Sequence, residues 1–339
     1  MPLSELFTSK LPLCFDAEGR FRILMVSDLH YSPAREEQTI QSMELLLEKT
    51  GPDFVMLGGD NTVGKATREE FDILLQDISA PLESRGIPWA HIFGNHDIST
   101  DVSKEYQQEG YEACPHCLSK AGNADLPGVG NYFLPVFDRS GKAAFGIWAL
   151  DAHQDFQTPS VPFDAVANPY WDLLLPKRLN AGSDWEFVRF EQILWYWNSS
   201  IQIEKELGRK LPSAMFLHIP LPEFNAMVQN AQRTHTTGEF NEPVSASELN
   251  SGLFAAALQR GDVKAIFAGH DHNNTFDGIY CGIRMGFDGS LGIHAYGCGQ
   301  HDPGSDRERL RGGRVFDIYE SNPSEIDTHM VYIKDLLTN

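Results

Sequence analysis

Five short stretches of the 339-residue chain end in side chains that can hold a metal ion or carry a proton. They deliver Asp28 and His30, Asp60 and Asn61, Asn95 and His96, His218, and His270 and His272. Carboxylate and imidazole donors without a thiolate suit Mn, Fe, Zn or Co. The two oxygens of Asp60 can bridge a pair of ions. Two ions about 3.5–4 Å apart can clamp the attacking and leaving oxygens of an in-line phosphoryl displacement. Taken singly, each histidine reads as an ordinary core or surface residue. Their recurrence after the same kind of segment makes them a candidate site.

That segment is a brief apolar run. Residues 22–26 lead into Asp28 and His30, 54–57 into Asp60, and 89–93 into Gly94-Asn95-His96-Asp97. Residues 214–217 lead into His218, and 264–268 into Gly269-His270-Asp271-His272. Short apolar runs closed by Gly and polar residues predict buried strands. Strands that end on one side present their following loops to one crevice. Helical spacing lies between them: Ile40, Met43, Leu46 and Leu47 within 36–49, and Phe71, Leu74, Leu75 and Ile78 within 68–79. Residues 187–207 form a third, aromatic-rich amphipathic stretch. Trp185, Trp195, Tyr196 and Trp197 read there as core. The alternation predicts an α/β protein. Residues 313–319 and 329–333 read as late strands, in a second sheet or a closing hairpin. Residues 99–131 show little periodicity and read as an insertion overhanging the site, and 238–250 as a second loop.

Asp and Glu number 47 against 27 Lys and Arg, a formal net charge of −20. That balance opposes stable nucleic-acid binding and adhesion to an anionic membrane. No run approaches the roughly 18 apolar residues of a membrane span. No basic segment followed by an apolar stretch opens the chain, so the expected setting is cytoplasmic. The five cysteines, Cys14, Cys114, Cys117, Cys281 and Cys298, fit reduced thiols. Cys114-Pro115-His116-Cys117 has no second CxxC to complete a zinc site. Gly64-Lys65 is not a P-loop, because Ala66 stands in the Ser/Thr place of GxxxxGK[ST].

The ordered set Asp28-x-His30, Gly59-Asp60, Gly94-Asn95-His96-Asp97, His218 and Gly269-His270-Asp271-His272 resembles the signature of the calcineurin-like metallophosphoesterases. Residues 58–64 and 217–223 are similar to the branch related to small purple acid phosphatases. The resemblance implies one catalytic domain over 1–339, a four-layer αββα sandwich of two mixed β-sheets flanked by helices. It implies two divalent or mixed-valence ions, chiefly Mn, Fe or Zn. Asp28, His30 and His272 would hold one ion and Asn95, His218 and His270 the other, with Asp60 bridging. His96 would assist at the phosphate or its leaving oxygen, and a hydroxide on the ions would be the nucleophile. The implied substrate is a small phosphomonoester or phosphodiester. A nucleotide phosphodiesterase or pyrophosphatase and a non-catalytic scaffold are the alternatives. Asn61, His153, His294 and Tyr296 are further candidates for substrate contact. Val63 stands where purple phosphatases carry a metal-binding Tyr. Val63 and Gly64 also replace the Asp-Arg pair of the Ser/Thr protein phosphatases.

Overall fold

A computed structural model describes residues 6–32, 37–62, 67–98, 101–156, 184–293, 296 and 306–337. Its strands are β1 (Leu13–Cys14), β2 (Arg20–Val26), β3 (Phe54–Leu57), β4 (Trp89–His91), β5 (Tyr132–Phe137), β6 (Ala143–Ala149) and β7 (Asp155–Phe156). There follow β8 (Asp184–Trp185), β9 (Ser213–Leu217), β10 (Val263–Ala268), β11 (Asp277–Tyr280), β12 (Ile283–Phe287), β13 (Gly312–Tyr319) and β14 (Ile326–Tyr332). The helices are α1 (Glu37–Thr50), α2 (Arg68–Glu83), α3 (Lys104–Ala113), α4 (Phe190–Leu207), α5 (Glu223–Gln229), α6 (Leu253–Arg260) and α7 (Ile333–Leu337).

Seven strands form one mixed sheet in the order β1-β5-β6-β9-β10-β12-β11, and five form another in the order β14-β13-β2-β3-β4. β7 and β8 pair separately. The late strands are thus a hairpin whose inner member, β13, runs antiparallel to β2.

Side-chain alternation stacks the layers. From β2 and β3, Ile23, Met25, Phe54 and Met56 point to a core shared with Phe145, Ile147, Ala214, Phe216 and Phe267 of the larger sheet. The alternate residues Leu24, Val26, Val55 and Leu57 face Met43 and Leu46 of α1 and Phe71 and Leu74 of α2. On the other outer face, Trp148, Met215 and Ile266 pack with Tyr196 of α4, Phe224 of α5 and Phe254 of α6. Burial on both faces explains why these strands are continuous apolar runs rather than alternating ones. The result is helix, sheet, sheet, helix, as the resemblance implied. Phe316 of β13 bridges the sheets, its ring 5.7 Å from Phe216 and 4.6 Å from Phe267, edge-on to both.

Two sequence expectations need correction. Residues 99–131 are less irregular than they read, because their described part contains the ten-residue helix α3, capped by the Ser103 side chain. Trp185 lies in β8, ahead of the third long helix, which begins only at Phe190. Residues 238–250 contain no helix or strand, as expected.

Candidate metal centre

The parallel strands β2, β3 and β4 end directly before Asp28 and His30, Asp60, and the 94–97 turn. β9 and β10, also parallel, end before His218 and before His270 and His272. The sheet ends bring these donors together. Asp28, His30, Asp60 and His272 form one cluster of ligand atoms within 4.8 Å, and Asp60, His218 and His270 form a second. Asp60 belongs to both.

The backbone bends sharply to achieve this. Asp28, His30, Asp60 and His270 all adopt positive φ, at 53°, 42°, 51° and 74°. Non-glycine residues in this region store strain that surrounding structure must hold, and such strain concentrates at functional sites. Gly94 supplies clearance, since a Cβ there would lie 2.1 Å from Asp60 Oδ1.

Each carboxylate is tied by one oxygen and leaves the other inward. The Ser27 hydroxyl at 2.6 Å and the His270 backbone N–H at 3.0 Å donate to Asp28 Oδ2. Asp28 Oδ1 is buried without a hydrogen bond, 3.1 Å from His272 Nε2. The His96 N–H donates to Asp60 Oδ1 at 2.7 Å. Asp60 Oδ2 faces His218 Nε2 at 3.2 Å and His30 Nε2 at 3.6 Å. The Gly58 carbonyl lies 2.8 Å from His218 Nδ1 and the Tyr296 carbonyl 3.2 Å from His272 Nδ1. Carbonyls only accept, so each Nδ1 carries a proton and turns Nε2 toward the cluster. Asn95 Oδ1, His218 Nε2 and His270 Nε2 are likewise buried with no hydrogen-bond partner. Buried polar atoms are ordinarily satisfied, and orphans cost about 1–3 kcal/mol each. Their gathering around two carboxylates fits a site for cations.

Electrostatics agree. Burial alone would raise the Asp28 and Asp60 carboxyls. Neighbouring imidazoles outweigh it, holding Asp28 at about 2 and Asp60 well below the usual range. Burial works against protonation of His218, yet Asp60 and Asp28 lift it to about 10. Burial depresses His30 to about 4 and His270 to about 3. In the metal-free protein the two buried carboxylates thus persist as anions beside a protonated His218, while His30 and His270 stay neutral. Bound cations would displace protons from the remaining rings.

The other expected residues are placed as follows. His96 is exposed at the mouth, its ring 5.0 Å from that of His30. Asp97 lies beneath this turn, its carboxylate accepting from the Thr62 and Gly94 N–H groups. Asn61 is fully buried beside the Tyr111 hydroxyl instead of lining the mouth. His153 leaves the end of β6 with φ 68°, its Nε2 2.9 Å from Gln192 Oε1. Tyr296 stacks on His272 at 3.9 Å and is half exposed. Val63, Gly64, His294 and Cys298 lie outside the described residues. Sequence reasoning missed Trp185, which it assigned to the core. Its ring meets His270 edge-on at 4.3 Å. No spacing linked the two, since β8 pairs only with β7.

Cys114 and Cys117 are free thiols. Among the described residues, no helix is long and apolar enough to cross a membrane.

Comparison with known proteins gives the same picture. The chain is 30% identical to "Probable inactive purple acid phosphatase 14" of Arabidopsis thaliana over 317 residues, covering 84% of this chain and 74% of the relative. It is 26% identical to "Phosphatase DCR2" of Saccharomyces cerevisiae over 285 residues, 76% of this chain and 45% of that one. The Arabidopsis relative bears out the likeness to purple acid phosphatases. A dimetal phosphatase from Danio rerio has a similar fold, with a TM-score of 0.55 at 13% identity over 88% of this chain and 93% of that one. The calcineurin-like phosphoesterase profile matches residues 21–274, a span that holds every candidate ligand, and the chain belongs to that family.

Proposed function

We propose that the protein hydrolyses small phosphate esters, mono- or diesters, at a dinuclear metal centre. The observation that carries this reading is the pair of donor clusters sharing Asp60, with orphaned buried atoms turned inward. In it Asp28, His30 and His272 would hold one ion, Asn95, His218 and His270 would hold the other, and Asp60 would serve both. Mn, Fe or Zn suits this oxygen and nitrogen set. The ions, when bound, supply Lewis acidity toward phosphate oxygens and acidify water.

The chain's own groups do the rest. Asp60 orients His96 through its backbone N–H. The exposed His96 ring is then free to hydrogen-bond a phosphate oxygen or to protonate the departing alkoxide. The Gly58 and Tyr296 carbonyls fix two ligand rings in the required tautomer. A nucleotide diester or pyrophosphate would use the same groups.

The name "probable inactive" carried by the Arabidopsis relative makes a metal-binding but silent member the rival reading. Against it, every expected ligand position holds a competent donor, and His96 remains at the mouth. The test is metal-stripped protein reloaded with Mn, Fe, Zn, Co or Mg and offered nitrophenyl phosphate and bis-nitrophenyl phosphate. Two ions per chain, turnover abolished by Asn95→Ala, and weaker binding of both ions in Asp60→Asn are expected. Two tightly bound ions with no turnover of either ester would support the rival. Asp60→Asn with unaltered metal content would remove the shared ligand.

A further inference from the structure

A carboxyl group that the proposed ligand set does not use stands at the end of β12. This strand runs parallel to β10, with Phe287 opposite Ala268, so it ends at the same edge as the strand before His270. Asp288 follows it directly and is fully buried. The next residues are strapped along the Asp28 turn. The Ser290 hydroxyl donates to the Asp28 carbonyl at 3.0 Å, and the Gly292 N–H donates to the same oxygen at 3.1 Å. The Leu291 N–H donates to the Ser27 carbonyl at 3.1 Å. Gly269 leaves room for the contact between Ser27 and Asp28, since a Cβ there would lie 2.8 Å from Ser27 Oγ and 2.9 Å from Asp28 Oδ2.

Ser27 Oγ lies 2.6 Å from Asp28 Oδ2, 2.7 Å from Asp288 Oδ1 and 3.2 Å from the Gly289 carbonyl. With both carboxyls ionised all three neighbours could only accept, and a hydroxyl has one proton to give. Two such short contacts need a second proton, carried by one of the two carboxyls. Asp28 is the anion of the pair. Its Oδ2 also accepts the His270 N–H at 3.0 Å, and the imidazoles beside it outweigh its burial. Asp288 has no such support. Its Oδ2 is buried without a hydrogen-bond partner. The nearby Arg314 guanidinium is bonded instead to the Phe287 and Thr275 carbonyls and to Asp277. A buried carboxyl without a cationic partner is more stable neutral. Burial, with the Asp28 charge beside it, pushes Asp288 up to about 8.

We infer that Asp288 is a positioning residue for the metal centre, acting as a hydrogen-bond donor through Ser27. The Asp288 carboxyl donates to Ser27 Oγ, and the Ser27 hydroxyl donates to Asp28 Oδ2. Asp28 Oδ1, which has no hydrogen bond of its own, is thereby left facing the ion site. The inference rests on the metal-centre reading. It also sets the charge there, since Asp28 and Asp60 count as carboxylates and Asp288 does not.

The test compares Asp288→Asn, which keeps a donor at the same shape, with Asp288→Leu, which removes it. Mn binding to each metal-stripped protein is measured by calorimetry. Asp288→Asn should bind within about twofold of the wild type and Asp288→Leu about tenfold more weakly, the scale for losing a group that orients a ligand. Asn as weak as Leu, or Leu as tight as the wild type, overturns the proposal. A second readout does not depend on the Leu variant folding. The infrared difference between metal-loaded wild type and Asp288→Asn should show that the wild type alone has the C=O stretch of one protonated carboxyl. Loss of carboxylate bands instead would mean that Asp288 is an anion, and would overturn the donor role. A wild type that binds no Mn defeats the metal-centre reading and the positioning role with it, a result distinct from the other two.

Discussion

Lys104→Met should destabilise the protein by about 3 kcal/mol at pH 7. The Lys104–Asp151 pair joins the insertion helix α3 to the end of β6, with side-chain exposures of 9% and 0%. Breaking such a pair from one side costs about 3–5 kcal/mol, because the remaining charge stays buried. Here the lower figure applies, since Asp151 keeps the N–H groups of Val129 and His153, each at 2.9 Å. With an unfolding entropy near 2.1 cal/mol/K per residue, 339 residues give about 0.7 kcal/mol/K, so the midpoint should fall by about 4 °C. The sign with pH follows from the Asp151 carboxyl. Burial would raise it, but the Lys104 charge, with His153 and the hydrogen bonds, holds it below its usual value. In the wild type its contribution is complete above the ordinary carboxylate range and is lost as pH falls through the lowered value. Without the ammonium, burial prevails and raises the carboxyl, so acid relieves the variant. The gap between the two proteins should be widest near pH 7 and narrow toward pH 4.5. Lys104→Met/Asp151→Asn should recover most of the loss. Denaturation at both pH values provides the assay. A gap below about 1 kcal/mol at pH 7, or one that widens on acidification, would refute the reasoning.

Gly94→Ala sets a Cβ against Asp60 Oδ1 and the Asp60 backbone nitrogen, at 2.1 and 2.4 Å. It should lower metal content while leaving far-ultraviolet dichroism intact, and two retained ions would contradict that clash. Cys117 is buried and burial pushes its thiol to about 12, whereas Cys14 and Cys281 are exposed. Iodoacetamide at pH 8 should alkylate Cys14 and Cys281 in the folded protein and reach Cys117 only in denaturant. Peptide mapping that finds Cys117 modified as fast as Cys281 would count against it.

Where residues pack against apolar neighbours on both faces, the sequence was legible. The runs ending at Val26, Leu57, Leu217 and Ala268 became strands of the central layers. Each was followed at once by a ligand candidate because the parallel strands of both sheets deliver their ends to one edge. The place of Asp60 in both clusters depends on contacts between the sheets, and no periodicity encodes those. Even so, the residues alone pointed to the carboxylates and imidazoles that the structure gathers into two clusters, since such side chains after five buried strands have few other reasons to recur. The fate of Asn61 was less readable. It follows Asp60 directly, but the turn that aims Asp60 into the site sends its neighbour inward beside Tyr111.

Helix α3 escaped for a different reason, and that reason bears on function. Its buried residues are Lys104, Gln107, Gln108 and Tyr111, spaced i, i+3, i+4 and i+7. That is the spacing of an amphipathic helix, but three of the four side chains are plainly polar, so a search for apolar periodicity passes over it. A helix packed on the middle of a sheet meets Leu, Ile and Phe. One packed at the strand ends meets carboxylates and loop backbone, and must answer in kind. Lys104 meets Asp151, and the Gln107 amide donates to the Asp97 carbonyl beneath the His96 turn. α3 is therefore fastened at once to the loop that carries His96 and to Asp151 at the end of β6. A shift of this helix would move the His96 turn and the end of β6 together.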